Sequence, residues 1–181
     1  MFSTTGDDDR RFPPALTEVS RIEFVYGDEG EDGDEGVDFA PYEAFRSAED
    51  TTDWLRHWTA NHELDGGGLR IFGQDGSGGL AAIWYTRPGR PLAEQPVVFL
   101  DSEGEVGVAA GNLSDLLWVL ADGFGPREAA LHGEREARPD EALGAIAERH
   151  ATTPRRPARE IIAEAQVEFD TFEDDLFELC R

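Results

Sequence analysis

The sequence predicts an α+β domain, and three patterns carry that expectation. Between Leu69 and Gly123, short apolar runs alternate with turn signals, as consecutive sheet strands do. That stretch closes on Asn112, a helix cap, followed by an amphipathic repeat. Helical periodicity also precedes it, around Trp54, and follows it towards the C-terminus. Strands gathered at the centre with helices on both sides describe a sheet covered by helices.

Taken in order, residues 1–19 read as a polar leader and 20–181 as a single α+β domain. Ile22, Phe24 and Tyr26 alternate with Arg21, Glu23 and Val25, the period of a strand. Residues 27–40 read as a mobile acidic loop, with seven acids between Asp28 and Asp38. Such a segment buries little apolar surface and repels itself. As a calcium loop it fails: Gly30 stands where an EF-hand needs an oxygen ligand, and Phe39 replaces the bidentate glutamate.

Residues 41–123 form the expected core. Ser47-Ala-Glu-Asp50 resembles a capping box that opens a helix over 48–62, with Trp54, Leu55 and Trp58 on one face. Asp65-Gly-Gly-Gly68 breaks the chain before the strands. Strands are expected at Leu69–Gly73, Leu80–Thr86, Pro96–Asp101 and Glu105–Ala110, the first two joined as a hairpin. A helix follows Asn112, its stripe Leu113, Leu116, Leu117 and Leu120, and Gly123 stops it. Residues 124–181 form a C-terminal helical extension. Pro139 opens one helix there. A second runs from Ala158 towards Leu179, with Ile162, Ala165, Phe169, Phe172, Leu176 and Leu179 as a core-facing seam, the alternative being a short coiled-coil pair.

The chain has 181 residues and a formal charge of −23. That charge repels phosphates and anionic lipid, which argues against nucleic acid or a membrane surface as partner. It suits a basic protein. All sixteen cationic residues are arginines, and with abundant Ala, Gly and Asp the composition fits a GC-rich bacterial genome. A single cysteine, Cys180, precludes an intrachain disulfide. No signal-peptide pattern opens the sequence and no run of 18 apolar residues occurs, so the cytoplasm is expected.

No catalytic constellation, metal site or cofactor motif emerges. Gly73-Gln-Asp-Gly-Ser-Gly-Gly79 lacks the lysine of a phosphate loop. Strand, not helix, follows it, which excludes a dinucleotide fingerprint and a nucleophile elbow at Ser77. It reads as a hairpin turn. His57, His62, His132 and His150 stand apart from metal-binding spacing. Arg155, Arg156 and Arg159 form a basic patch, placed to hold an acidic strip of this chain or a partner, or simply solvated. Asp75, Asp101, Glu103 and Glu105 sit at turn tips and are the expected contacts to a basic partner.

The central stretch resembles the SUKH superfamily, bacterial immunity proteins related to a yeast cell-wall-synthesis regulator. The resembling residues are the 73–79 turn feeding Ala82-Ile-Trp-Tyr85, then Gln95–Asp101 with Glu103-Gly104, then Leu113-Ser-Asp-Leu-Leu-Trp118. The usual N-terminal Leu-Pro, Tyr and Asn-Gly signature is missing, and helix 48–62 takes a related place. The resemblance implies an antiparallel sheet of about four to six strands with helices packed around it. It implies no catalysis, but binding and neutralisation of a cognate toxin, often a nuclease with a cationic cleft. A housekeeping regulatory or scaffold module of the same fold is the alternative, and a small hydrolase a third.

Overall fold

The computed structural model describes residues 9–25 and 36–181. Five strands form one antiparallel sheet in sequence order. They are β1 (Ala40–Pro41), β2 (Leu69–Gln74), β3 (Leu80–Trp84), β4 (Val97–Leu100) and β5 (Val106–Ala110). Seven helices among the described residues pack around it. These are α1 (Pro14–Val19), α2 (Ala48–Thr59), α3 (Leu113–Ala121), α4 (Pro126–Leu131), α5 (Glu141–His150), α6 (Ala158–Glu168) and α7 (Phe172–Phe177). The fold is α+β, as expected.

The strand alternation sorts side chains into two cores. Ala81, Ile83, Val97, Phe99 and Ala109 face α1, α3, α4 and α5. Leu80, Ala82, Val98, Leu100 and Val108 face the other way, towards Leu55 of α2 and Phe172 and Leu176 of α7. α6 joins the two, with Ile161 and Ile162 in the first core and Ala165 in the second. α4 and α6 lie against β5, which leaves that sheet edge covered.

The caps form where the sequence places them. Ser47 Oγ accepts the Asp50 amide at 3.0 Å, and Asn112 Oδ1 accepts the Asp115 amide at 2.9 Å. Gly123 has φ +91, and a Cβ there would meet Arg138 O at 2.0 Å, so the chain turns after α3 as no other residue would allow. α5 is capped by Asp140, whose Oδ1 accepts the Leu143 amide at 2.9 Å. Pro139 therefore precedes the cap instead of opening the helix. α6 receives its cap from a distance: Asp122 Oδ2 accepts the Ala158 amide at 2.9 Å.

Four further expectations change. The end of the polar leader carries α1, because Leu16 and Val19 are only 1% exposed in the first core. Residues 21–25 alternate in burial but join no sheet. Ile22 and Phe24 pack on the first core instead, Phe24 edge-on to Phe39 at 5.1 Å. Of the acidic loop, residues 36–40 are described, and Asp38 Oδ1 accepts the Gly76 amide at 2.9 Å. Its strongly acidic part and Tyr26 lie outside the described residues. Finally, the helix expected from 158 to 179 breaks at Phe169–Thr171. The break lets Phe169 and Phe172 both reach Trp84, at 6.2 and 4.8 Å between ring centroids.

Candidate protein-binding surface

The acids expected to meet a partner divide into two pairs. Asp75 and Asp101 are 1% and 5% exposed, too enclosed to meet another protein. Asp75 Oδ1 accepts the amides of Ser77 at 3.0 Å and Gly79 at 2.7 Å, and Arg127 Nε lies 3.2 Å from Oδ2. The carboxylate thus builds the glycine-rich turn from inside, with its charge neutralised. Gly79 is needed there, because a Cβ would meet Phe99 Cζ at 2.5 Å. Asp101 Oδ2 accepts the Glu103 amide at 3.0 Å and shapes the β4–β5 turn in the same way. The signal for both was local: an Asp followed by small or polar residues bonds its own backbone two residues on. Glu103 and Glu105 remain exposed on that second turn.

Beside this turn lies a row of aromatic rings. Trp54 and Trp58 stand one helical turn apart on α2, and their rings stack at 5.9 Å. Phe177 of α7 stacks on Trp58 at 6.3 Å with an interplanar angle of 4°. Trp58 Nε1 donates to Asp101 O at 3.1 Å, which ties the row to the β4–β5 turn. Phe177 is 41% exposed, and both tryptophans are half-buried. The sequence carried a cue for Phe177: it is a large apolar residue that falls off the seam of Phe169, Phe172, Leu176 and Leu179.

Acids lie close to Phe177 in sequence: Glu173, Asp174 and Asp175 of α7 and Glu178 at its C-cap are all exposed. None of them, nor Glu103 or Glu105, joins an ion pair with a described residue. The arginines of the basic patch pair elsewhere. Arg155 and Arg156 reach Asp122 at 3.4 Å and Asp115 at 3.6 Å, Arg156 also pairs with Glu164, and Arg159 donates to Arg135 O at 3.0 Å. The basic patch therefore holds an acidic strip of its own chain. Glu164 raises the Arg156 pKa further by accepting its hydrogen bond.

Glu18 is similarly engaged. Glu18 lies below the usual carboxylate range because Arg149, and after it His150, bonds it; His150 Nε2 is 2.8 Å from Glu18 Oε1. His57, His62 and His132 are exposed. A cleft of about 770 Å³ opens between α1, the 87–94 loop and the start of α3. Its arginines are internally paired, Arg87 with Glu168 and Arg90 with Glu94. Among the described residues no group of three or more His, Cys, Asp or Glu is arranged to hold a metal ion. No described helix is long and apolar enough to cross a membrane.

What this surface can do chemically is bind. Flat aromatic groups supply contact area at low entropic cost, and unpaired acids around them attract cations. No known protein family, curated protein or solved structure matches the chain.

Proposed function

We propose that this chain is a non-catalytic protein-binding domain that captures a basic protein, in the manner of an immunity protein neutralising its toxin. One observation carries the reading: the half-buried Trp54–Trp58 pair and the exposed Phe177 form a stacked row, and the acids of α7 and the β4–β5 turn beside it join no ion pair with a described arginine. Aromatic residues ringed by charge are the usual anchors of specific interfaces. An acidic rim steers a cationic partner and rejects anionic ones. A nuclease toxin, whose cleft is cationic so as to hold phosphate, has the matching chemistry.

The test is capture by the immobilised chain from its native host, followed by affinity measurement on the recovered protein. The expected partner is basic, and raising NaCl from about 50 to 500 mM weakens the complex at least tenfold. Phe177→Ala weakens it at least tenfold more, by the usual cost of losing an aromatic anchor. The activity of a toxin partner is blocked stoichiometrically. A partner held equally well at both salts favours the regulatory or scaffold reading. A basic partner unaffected by Phe177→Ala overturns this surface as the contact.

A further inference from the structure

The same face contains a cavity whose chemistry is more specific than the aromatic row. α7 does not close fully on α2 and the sheet, and leaves a space of about 120 Å³. Leu55, Leu176, Trp84 and Phe172 form its walls. Asp65 and Asp175 also line it, and both are exposed, so their carboxylates stand where it opens to solvent. We infer that this cavity is a receptor for one arginine or lysine side chain of the partner protein.

Each part of the cavity matches a part of that side chain. An apolar space of this size resembles cavities that admit a small hydrocarbon and offer water few partners. The methylene stem of arginine or lysine fits such walls while its charged head stays near water. Trp84 and Phe172 meet at 4.8 Å between centroids and 54°, a corner whose ring faces attract a cation. Asp65 Oδ1 accepts the Gly67 amide at 3.2 Å and Asp175 Oδ2 accepts Thr171 Oγ at 3.0 Å, which leaves one oxygen of each carboxylate available. An anionic side chain would face two like charges. A neutral one would cover both carboxylates without replacing their water.

The chain itself uses this arrangement nearby. Arg87 lies over the Phe169 ring at 4.9 Å and pairs with Glu168, at the corner where α6 gives way to α7. The cavity's lining likewise combines aromatic rings with carboxylates, and includes no arginine. Leu55 lies between Trp54 and Trp58 in sequence, and Leu176 precedes Phe177, so the cavity and the aromatic row share α2 and α7. A basic protein seated on the row brings its cationic side chains to the cavity mouth. The inference rests on the protein-binding reading of this face.

The test uses the full chain and small probes, so it does not depend on finding the partner. Butylguanidinium and pentylammonium stand for arginine and lysine, 1-pentanol is the neutral control and pentanoate the anionic one. The Trp84 indole N–H, assigned through its contacts to the Phe172 ring, is followed by NMR. One or both cations should shift it saturably in the millimolar range, at least about tenfold more tightly than pentanol, with no effect of pentanoate. Asp65→Asn with Asp175→Asn, both at exposed positions, should weaken the cation about tenfold and leave pentanol unchanged. The inference is overturned if pentanol binds as tightly, if the double variant binds the cations normally, or if no probe moves Trp84. Probe binding without any captured partner would sink the functional reading and leave the cavity's preference standing. Partner capture that depends on Phe177 with no probe binding would do the reverse.

Discussion

Glu128 shows how single residues were placed by contacts distant in sequence. It is 3% exposed, and burial raises its pKa above the ordinary 4.5, against the hydrogen bond its Oε1 accepts from the Asp38 amide at 3.0 Å. Its second oxygen, Oε2, has no hydrogen-bond partner among the described residues. A raised folded pKa means that the native state holds the proton more tightly than the unfolded chain. The contribution to stability is present below 4.5 and is lost as pH rises through the raised value. Glu128→Gln keeps an acceptor for Asp38 without a buried charge. It should be no less stable than the parent at pH 7 and should lose this part of the decline in stability with rising pH. Glu128→Ala leaves the Asp38 amide unpaired and should cost roughly 1–3 kcal/mol. Urea titrations at several pH values read both outcomes; a Gln variant clearly less stable at pH 7 would show that the charge supports the fold. Nothing adjacent in sequence announces this role. The caps at Ser47 and Asn112 were legible because their partners are three residues away. Asp75 and Asp101 were misassigned because an acid at a turn can serve solvent or its own backbone, and only burial tells which.

Elements were legible where one local signal determined them, and less so where packing decided. The core strands and α3 were read within a few residues, since alternation, turns and caps coincide there. Residues 21–25 have strand alternation but no partner strand, so they join no sheet while Ile22 and Phe24 pack on the first core. The seam after Ala158 was real, yet the helix breaks at Phe169–Thr171, which lets Phe169 and Phe172 both pack on Trp84. The loop between β3 and β4 gives the sharpest case. Gln95 is 1% exposed, and its Oε1 accepts the amides of Thr86 at 3.1 Å and Arg87 at 2.9 Å. Its Nε2 donates to Arg87 O at 2.8 Å and Arg90 O at 3.0 Å. One amide side chain thus does for this loop what a ladder does for a strand. Gln95→Leu, close in size, leaves those backbone groups without their partner and should cost roughly 2–4 kcal/mol. The loss would appear as a lower denaturation midpoint, with faster hydrogen exchange at Thr86 and Arg87. A variant as stable as the parent would mean that water replaces the amide there.

Across the whole molecule, charge sets stability and recognition against each other. The chain carries −23, and no described arginine pairs with the acids beside Trp58 and Phe177, so these carboxylates repel their own kind. Acids retained at a cost to the fold are expected where a partner supplies the missing cations. Glu103 and Glu178 test this cleanly. Both are exposed, neither is in an ion pair with a described residue, and Glu178 caps the C-terminal end of α7, where a negative charge opposes the helix dipole. The double variant Glu103→Lys, Glu178→Lys should therefore be more stable than the parent, by about 0.5–1 kcal/mol at low salt. Its advantage should shrink as NaCl rises to about 500 mM, because screening already relieves the parent's repulsion. Affinity for the proposed basic partner should move the other way, falling at least tenfold, mainly through slower association. Thermal melts at two salt concentrations and stopped-flow association rates separate the two effects. If stability and affinity fall together, these carboxylates support the fold and the binding face lies elsewhere. If stability rises while association slows, this face carries the acids for a partner and not for the domain itself.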